Sequence, residues 1–246
     1  RSFVKYTSAK KVVVGYDARI SSSKLFKALS EGIISQGADL YNIGQVPTEC
    51  LYFSVGKYDF DAGIMITASH NPKEYNGFKM LKRNENIIEV IRGKDLLSIV
   101  EAGDLATNSS PENKNNITEG AIEKKDIWQD YINHILSFIN LNAMKPFKIV
   151  IDASNGVAGL AVAKIGDKLP IKIFLLNYEP DGNFPNHSPN PLLEGSTDQI
   201  KKEIEKEGAD FGFIFDGDAD RIFLVDENGY LVRADVALLL LAKYFL

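Results

Sequence analysis

Short runs of apolar and β-branched residues, almost uninterrupted by polar side chains, recur along the chain. They are KVVVG at Lys11–Gly15, AGIMIT at Ala62–Thr67, FKIVID at Phe147–Asp152 and the strand-like Phe211–Phe215. A strand with one face in water alternates polar with apolar residues, so a continuous apolar run calls for a sheet covered on both faces. The cover lies between the runs: Leu25–Ile34, Cys50–Val55, Gly159–Ile165 and Thr197–Glu207 have helical spacing or helical composition. Further strands are expected at Leu40–Ile43, Phe78–Leu81, Lys172–Leu176 and Ile222–Val225, the last leading to a turn at Asn228–Gly229. Ile91–Glu101 reads as a helix or a less regular return, and a final helix begins near Ala234. The rhythm stops and restarts, so two consecutive α/β domains are predicted, joined through a helical segment at Ile127–Leu141. His134 in that segment reads as structural.

A length of 246 residues suits two domains of ordinary size. With 28 Lys and Arg against 33 Asp and Glu, the net charge is -5, which excludes a basic nucleic-acid surface but not a small phosphorylated ligand. The single cysteine, Cys50, cannot close an internal disulfide and reads as a buried apolar residue, in keeping with the reducing cytoplasm. The apolar run Val236–Ala242 is far shorter than the roughly 18–20 residues needed to cross a bilayer, so no membrane partner is expected. The start at Arg1 and the stop at Leu246 inside a helical pattern read as an excerpt of a longer protein. Between Asp104 and Gly120 the apolar pattern dissolves into a surface excursion, whose glycosylation-type triplets at Asn108 and Asn116 carry no functional weight.

Two local patterns carry chemistry. In FIFDGDADR an apolar strand delivers Asp216, Asp218 and Asp220 at intervals of two, with only Gly217 and Ala219 between them. Three carboxylates so close repel one another, and a hard divalent cation would relieve that; a solvated acidic turn is the competing reading. A calcium loop fits less well, because Arg221 stands where that loop needs glycine and a strand precedes the acids, although Glu227 falls at its last ligand position. In GIMITASHNPKEYNGFKM a buried strand ends by exposing Ser69, His70 and Asn71 before Pro72 sets the turn. Ser69 is a candidate nucleophile and Lys79 a candidate phosphate partner, weighed against a serine turn capped by its own hydroxyl. Adjacent Ser69 and His70 are poorly placed as a hydrolase pair, and no G-x-S-x-G, Walker or G-x-G-x-x-G pattern occurs.

TASHNP (Thr67–Pro72), NGFK (Asn76–Lys79), PDGNFPNHSPNPL (Pro180–Leu192) and DGDADR (Asp216–Arg221), in that order over nearly the whole chain, resemble the alpha-D-phosphohexomutases, closest to the bacterial phosphomannomutase/phosphoglucomutase branch. The resemblance implies an α/β fold of two mixed-sheet domains with helices on both faces. Domain 1 would span 1–130, lacking its opening strand, and domain 2 would span 131–246 with the first helix of a third. It implies that Ser69 carries a phosphoryl group, with His70 and Lys79 in its catalytic surroundings. Asp216, Asp218 and Asp220 would hold Mg²⁺ together with a phosphoserine oxygen. Arg19, Asn71 and Arg221 would orient the site and its phosphate, while Pro72 and His187 organise loops. The implied reaction converts hexose 6-phosphate to hexose 1-phosphate through a hexose 1,6-bisphosphate, with glucose 1,6-bisphosphate as activator. The missing C-terminal domains would be partners, and the chain alone would turn over poorly.

Glu49 departs from the resemblance, since relatives commonly carry a second proline in that turn. Three other readings stand beside the mutase: a phosphoglucosamine mutase, a haloacid-dehalogenase-like phosphatase with Asp216 as nucleophile and Asp218 as acid/base, and a non-catalytic ion-binding piece. Against the phosphatase, Asp220 stands where Thr or Val is usual.

Overall fold

The computed structural model describes residues 1–101 and 118–246. The Asn108 and Asn116 triplets, with most of the polar excursion, lie outside the described residues. Two compact units are present: Arg1–Tyr16, Ser21–Thr67 and Asn76–Gln129 form one, and Asp17–Ile20, Ala68–Tyr75 and Asp130–Leu246 form the other.

The first unit runs α1 (Ser2–Thr7), β1 (Lys11–Tyr16), α2 (Ser22–Ile34), β2 (Asp39–Gln45), α3 (Thr48–Lys57), β3 (Ala62–Ile66), β4 (Phe78–Asn84), β5 (Ile87–Ile91), α4 (Gly93–Glu101) and β6 (Ile122–Lys124). Its sheet has the order β5-β4-β3-β1-β2-β6. β1, β2, β3 and β6 run parallel, while β4 and β5 turn back antiparallel. The apolar runs behave as continuous burial requires. Val12, Val14, Leu40, Ile64 and Ile66 face one side, packed with Leu25, Phe26, Leu29 and Ile33 of α2. The opposite side receives α3, where Leu51 and Val55 approach the backbone of Gly63. Each such fully buried aliphatic side chain contributes about 1.5–3 kcal/mol. Cys50 sits in α3, fully buried, as expected of a small apolar residue.

The second unit contains most of α5 (Trp128–Ser137), then β7 (Lys148–Asp152), α6 (Ala158–Ile165), β8 (Lys172–Leu176), α7 (Asp198–Glu207), β9 (Phe211–Phe215), β10 (Ile222–Val225) and α8 (Ala234–Phe245). Its sheet has the order β10-β9-β7-β8. β7 lies parallel between β8 and β9, and β10 is antiparallel to β9. Side chains alternate between the two faces. Val150 and Ile214 pack with Ile200 and Ile204 of α7, whereas Ile149, Ile151, Phe211, Phe213 and Phe215 face Val162 of α6. No helix among the described residues is long and apolar enough to cross a membrane.

Several elements differ from the sequence expectation. β5 makes a hairpin with β4 through a turn in which Glu85, not glycine, takes a left-handed φ of 53°, so the usual Asn-Gly or Asp-Gly signal is absent. β6 is a short exposed edge strand and α1 a single short helix, both below the length at which periodicity can be read. The Ile127–Leu141 segment is α-helical only over Trp128–Ser137, with a 3₁₀ turn beginning at Leu141, and Ile91–Glu101 is a helix from Gly93.

Candidate active site

The acidic motif is the connection between β9 and β10. Phe215 pairs with Ile222, so residues 216–221 form the closed end of an antiparallel pair. Backbone bonds from Asp216 N to Arg221 O (3.2 Å) and from Ala219 N to Asp216 O (3.1 Å) tighten it. Ala219 takes a φ of 63° to make the turn. One carboxylate oxygen from each of Asp216, Asp218 and Asp220 lies within 4.8 Å of the others; Asp216 and Asp218 are buried and Asp220 is exposed. Burial and the neighbouring charge of Asp218 push the Asp216 carboxyl above its ordinary value, against the opposing pull of the Ser69 hydrogen bond and the Arg221 charge.

Ser69 reaches this cluster from a loop of the same unit. Its hydroxyl donates to Asp216 Oδ2 at 2.7 Å. Arg221 encloses the pair: Nε (3.0 Å) and Nη2 (2.6 Å) donate to Asp216 Oδ2, and Nη2 also donates to Ser69 Oγ and to His70 Nδ1. Gly217 permits the approach, since a Cβ there would lie 2.7 Å from the Ser69 carbonyl oxygen.

Ser69 has a φ of 54°, a left-handed conformation that costs a non-glycine residue roughly 1–2 kcal/mol. Arg19 holds it there. Its Nε donates to Asp17 Oδ2 at 3.0 Å, and both side chains are buried. Nη1 donates to the carbonyls of Pro72 (2.6 Å) and Tyr75 (3.0 Å), and Nη2 to those of Ser69 (2.8 Å) and Asn71 (2.6 Å). A guanidinium carries five N–H groups, and all of them are engaged. Arg19 thus shapes the serine loop and has no donor left for a phosphate oxygen. The ring of Phe184 stacks on it at 5.3 Å. Asn71 and Pro72 are exposed on this loop and enter the Arg19 network through their carbonyls.

The other two residues singled out by sequence are described within their own units. His187 is buried against Asp152 at the end of β7, with Nε2 3.0 Å from Asp152 Oδ2 and Nδ1 2.8 Å from the Ser188 carbonyl. Lys79 belongs to the first unit, half-buried on β4 opposite Met65 of β3. Sequence reasoning missed Asp17, the buried partner of Arg19, and Asp152, the partner of His187. Both directly follow or end an apolar strand, which is the signal that could have found them.

The chain is similar to known proteins over nearly its whole length. The family model for phosphoglucomutase/phosphomannomutase, alpha/beta/alpha domain I, matches residues 1–105, and the model for alpha/beta/alpha domain II matches residues 129–229. The chain belongs to the phosphoglucomutase/phosphomannomutase family. A phosphomannomutase of Salmonella montevideo is 36% identical over 252 residues, covering 100% of this chain and 54% of its own length. A phosphomannomutase/phosphoglucomutase of Pseudomonas aeruginosa is 35% identical, covering 94% of this chain and 47% of its own. The crystal structure of a phosphoglucomutase/phosphomannomutase family protein from Burkholderia thailandensis superposes with a TM-score of 0.86 at 32% identity, over 99% of this chain and 53% of that one. The chain thus spans about half the length of the curated relatives it matches. The mixed sheets with helices are the family's two α/β/α domains, and membership sets aside the haloacid-dehalogenase-like alternative.

Proposed function

We propose that this chain carries the phosphoserine centre of a phosphohexose mutase, which interconverts hexose 6-phosphate and hexose 1-phosphate with mannose or glucose as the sugar. The contact of Ser69 Oγ with Asp216 Oδ2 at 2.7 Å, inside an acidic triad, carries the reading. Phosphorylated Ser69 is the donor: its O–P bond breaks as a sugar hydroxyl oxygen bonds to phosphorus. The resulting hexose 1,6-bisphosphate reorients and returns its other phosphoryl group to Ser69, so that the net change is isomerisation. Glucose 1,6-bisphosphate, the bisphosphate of one of these sugars, serves as activator by the same return step.

Asp216, Asp218 and Asp220 fit Mg²⁺, since they offer oxygen ligands only, within one ion's reach of each other. With a phosphoserine oxygen they would hold it. When bound, it offsets negative charge on the transferring phosphoryl group. Arg221 orients the Ser69 oxygen and contacts His70, which the family pattern TASHNP assigns to the catalytic surroundings of the serine. Arg19 acts on the loop backbone. Lys79 is assigned phosphate stabilisation or proton transfer on the family pattern NGFK.

Incubation with glucose 1,6-bisphosphate and Mg²⁺, followed by intact-mass and peptide mapping, is expected to show one phosphoryl group on Ser69 and none in Ser69→Ala. Absence of transfer at every Mg²⁺ concentration, or transfer to another residue, sinks the reading. Paired assays of the full-length protein on mannose and glucose phosphates decide the sugar and test the phosphoglucosamine alternative.

A further inference from the structure

A second buried network lies behind the acidic loop. Asp152 is wholly buried and accepts from the Ser154 backbone N–H (2.8 Å) and from Asn177 Nδ2 (3.0 and 3.1 Å). His187 faces it with Nε2 and faces the Ser188 carbonyl with Nδ1. A carbonyl accepts only, so Nδ1 carries a proton. Asp152 Oδ2, 3.0 Å from Nε2, favours a proton on that nitrogen too, so the surroundings favour the charged form of the ring.

The pair anchors a strained turn. Ser154 and Asn155 both take left-handed φ, 52° and 51°, a succession that persists only where surrounding bonds over-determine it. Here they do. Asp152 fixes the Ser154 amide, the Asn155 amide bonds to the Asn177 carbonyl at 2.8 Å, and Asn155 Oδ1 accepts from Asn186, the residue before His187. The far side of the turn grips the acidic loop on both flanks of Asp216. Ser154 Oγ donates to the Phe215 carbonyl at 2.5 Å, and the Val157 amide to the Gly217 carbonyl at 3.2 Å. Gly156 lies so close that a Cβ would stand 2.4 Å from the Gly217 oxygen.

We propose that the His187–Asp152 pair is a positioning device for Asp216, acting through the 153–157 turn on the carbonyls of Phe215 and Gly217. Its effect on the metal site rests on the function proposed above; its effect on the loop does not. Neither residue touches a reacting atom. Both act by holding the backbone from which Asp216 projects, in the way that partners behind metal ligands set ligand orientation.

Two measurements on the full chain test this. Amide hydrogen exchange reads the loop directly. In His187→Ala the Val157 amide is expected to exchange about tenfold faster, after normalisation to Val150 at the centre of the sheet, which removes any loss of global stability. An unchanged Val157-to-Val150 ratio overturns the proposal. Mn²⁺ titration followed by electron paramagnetic resonance reads the metal site, with an expected loss of about tenfold in affinity for the folded variant. Equal, measurable Mn²⁺ affinity in wild type and variant also overturns it, whereas a wild type that binds no Mn²⁺, together with faster Val157 exchange in His187→Ala, upholds the device and removes the metal reading instead. Should His187→Ala fail to fold, His187→Gln keeps one donor toward Asp152 while losing the charge and the Ser188 bond, and the same criteria apply.

Discussion

Ser69 is held in a conformation its own backbone disfavours, and the force that holds it comes from Arg19. Lysine has one compact ammonium with three donors and cannot span Asp17 and four carbonyls at once. Arg19→Lys is therefore expected to lower stability by about 2–4 kcal/mol, because Asp17 and several carbonyls lose buried partners. It is also expected to slow phosphorylation of Ser69 about 100-fold through misplacement of the hydroxyl. Urea melts and the rate of phosphoryl gain by mass spectrometry measure the two effects, and a wild-type phosphorylation rate would show that the loop holds its shape without the fork. Sequence spacing singles out Ser69 and Lys79 as suited to phosphate chemistry, and the family resemblance adds His70, Arg19 and Arg221. What it cannot tell is which arginine has donors to spare. Arg19 and Arg221 look alike in sequence, yet one is saturated by backbone carbonyls and the other bonds Asp216, Ser69 and His70 side chains.

Among the elements, the connection between β9 and β10 and the loop bearing Ser69 approach closely only because Gly217 has no side chain. In Gly217→Ala the new methyl would lie 2.7 Å from the Ser69 carbonyl oxygen and 3.2 Å from Pro189 Cβ. A cost of about 1–3 kcal/mol is expected, with the sheet intact by circular dichroism and phosphorylation of Ser69 largely lost. Normal phosphorylation in a folded Gly217→Ala protein would mean the two loops need not touch. The strands that are long, apolar and buried on both faces were legible, as were α2, α3 and α7, because period and length both point the same way. β5, β6 and α1 were not. A hairpin turned by Glu85 has no glycine to announce it, and a three-residue edge strand such as Ile122–Lys124 exists only because β2 offers a free edge to pair with.

For the whole molecule, two buried groups make stability depend on pH with one sign. Burial alone would lower the His187 pKa, but the hydrogen bond and charge of Asp152, with the Ser188 carbonyl, outweigh it and raise it above its ordinary 6.5. Asp216 is raised above 3.8 by burial and by Asp218. Each group binds more protons folded than unfolded within its window, so stability falls as pH rises through those windows. For His187 the contribution is fully present below about 6.5 and is lost as pH climbs through the folded value. The melting temperature of the metal-free chain is expected to fall as pH rises above about 6.5, and His187→Gln should flatten the slope. Parallel slopes in the two proteins would refute the buried imidazolium.

The sequence alone determined the α/β class, the two repeats of the strand–helix rhythm and the chemical character of the serine and acidic loops. These follow from periodicity and residue type, which are local properties. Tertiary structure alone decided that Ser69 meets Asp216 across 147 positions of chain, that Arg19 spends every donor on the loop backbone, and that His187 and Asp152 pair behind the acidic turn. Those outcomes depend on which buried polar groups find one another once the sheets have formed, and no local pattern encodes a partner so distant in sequence.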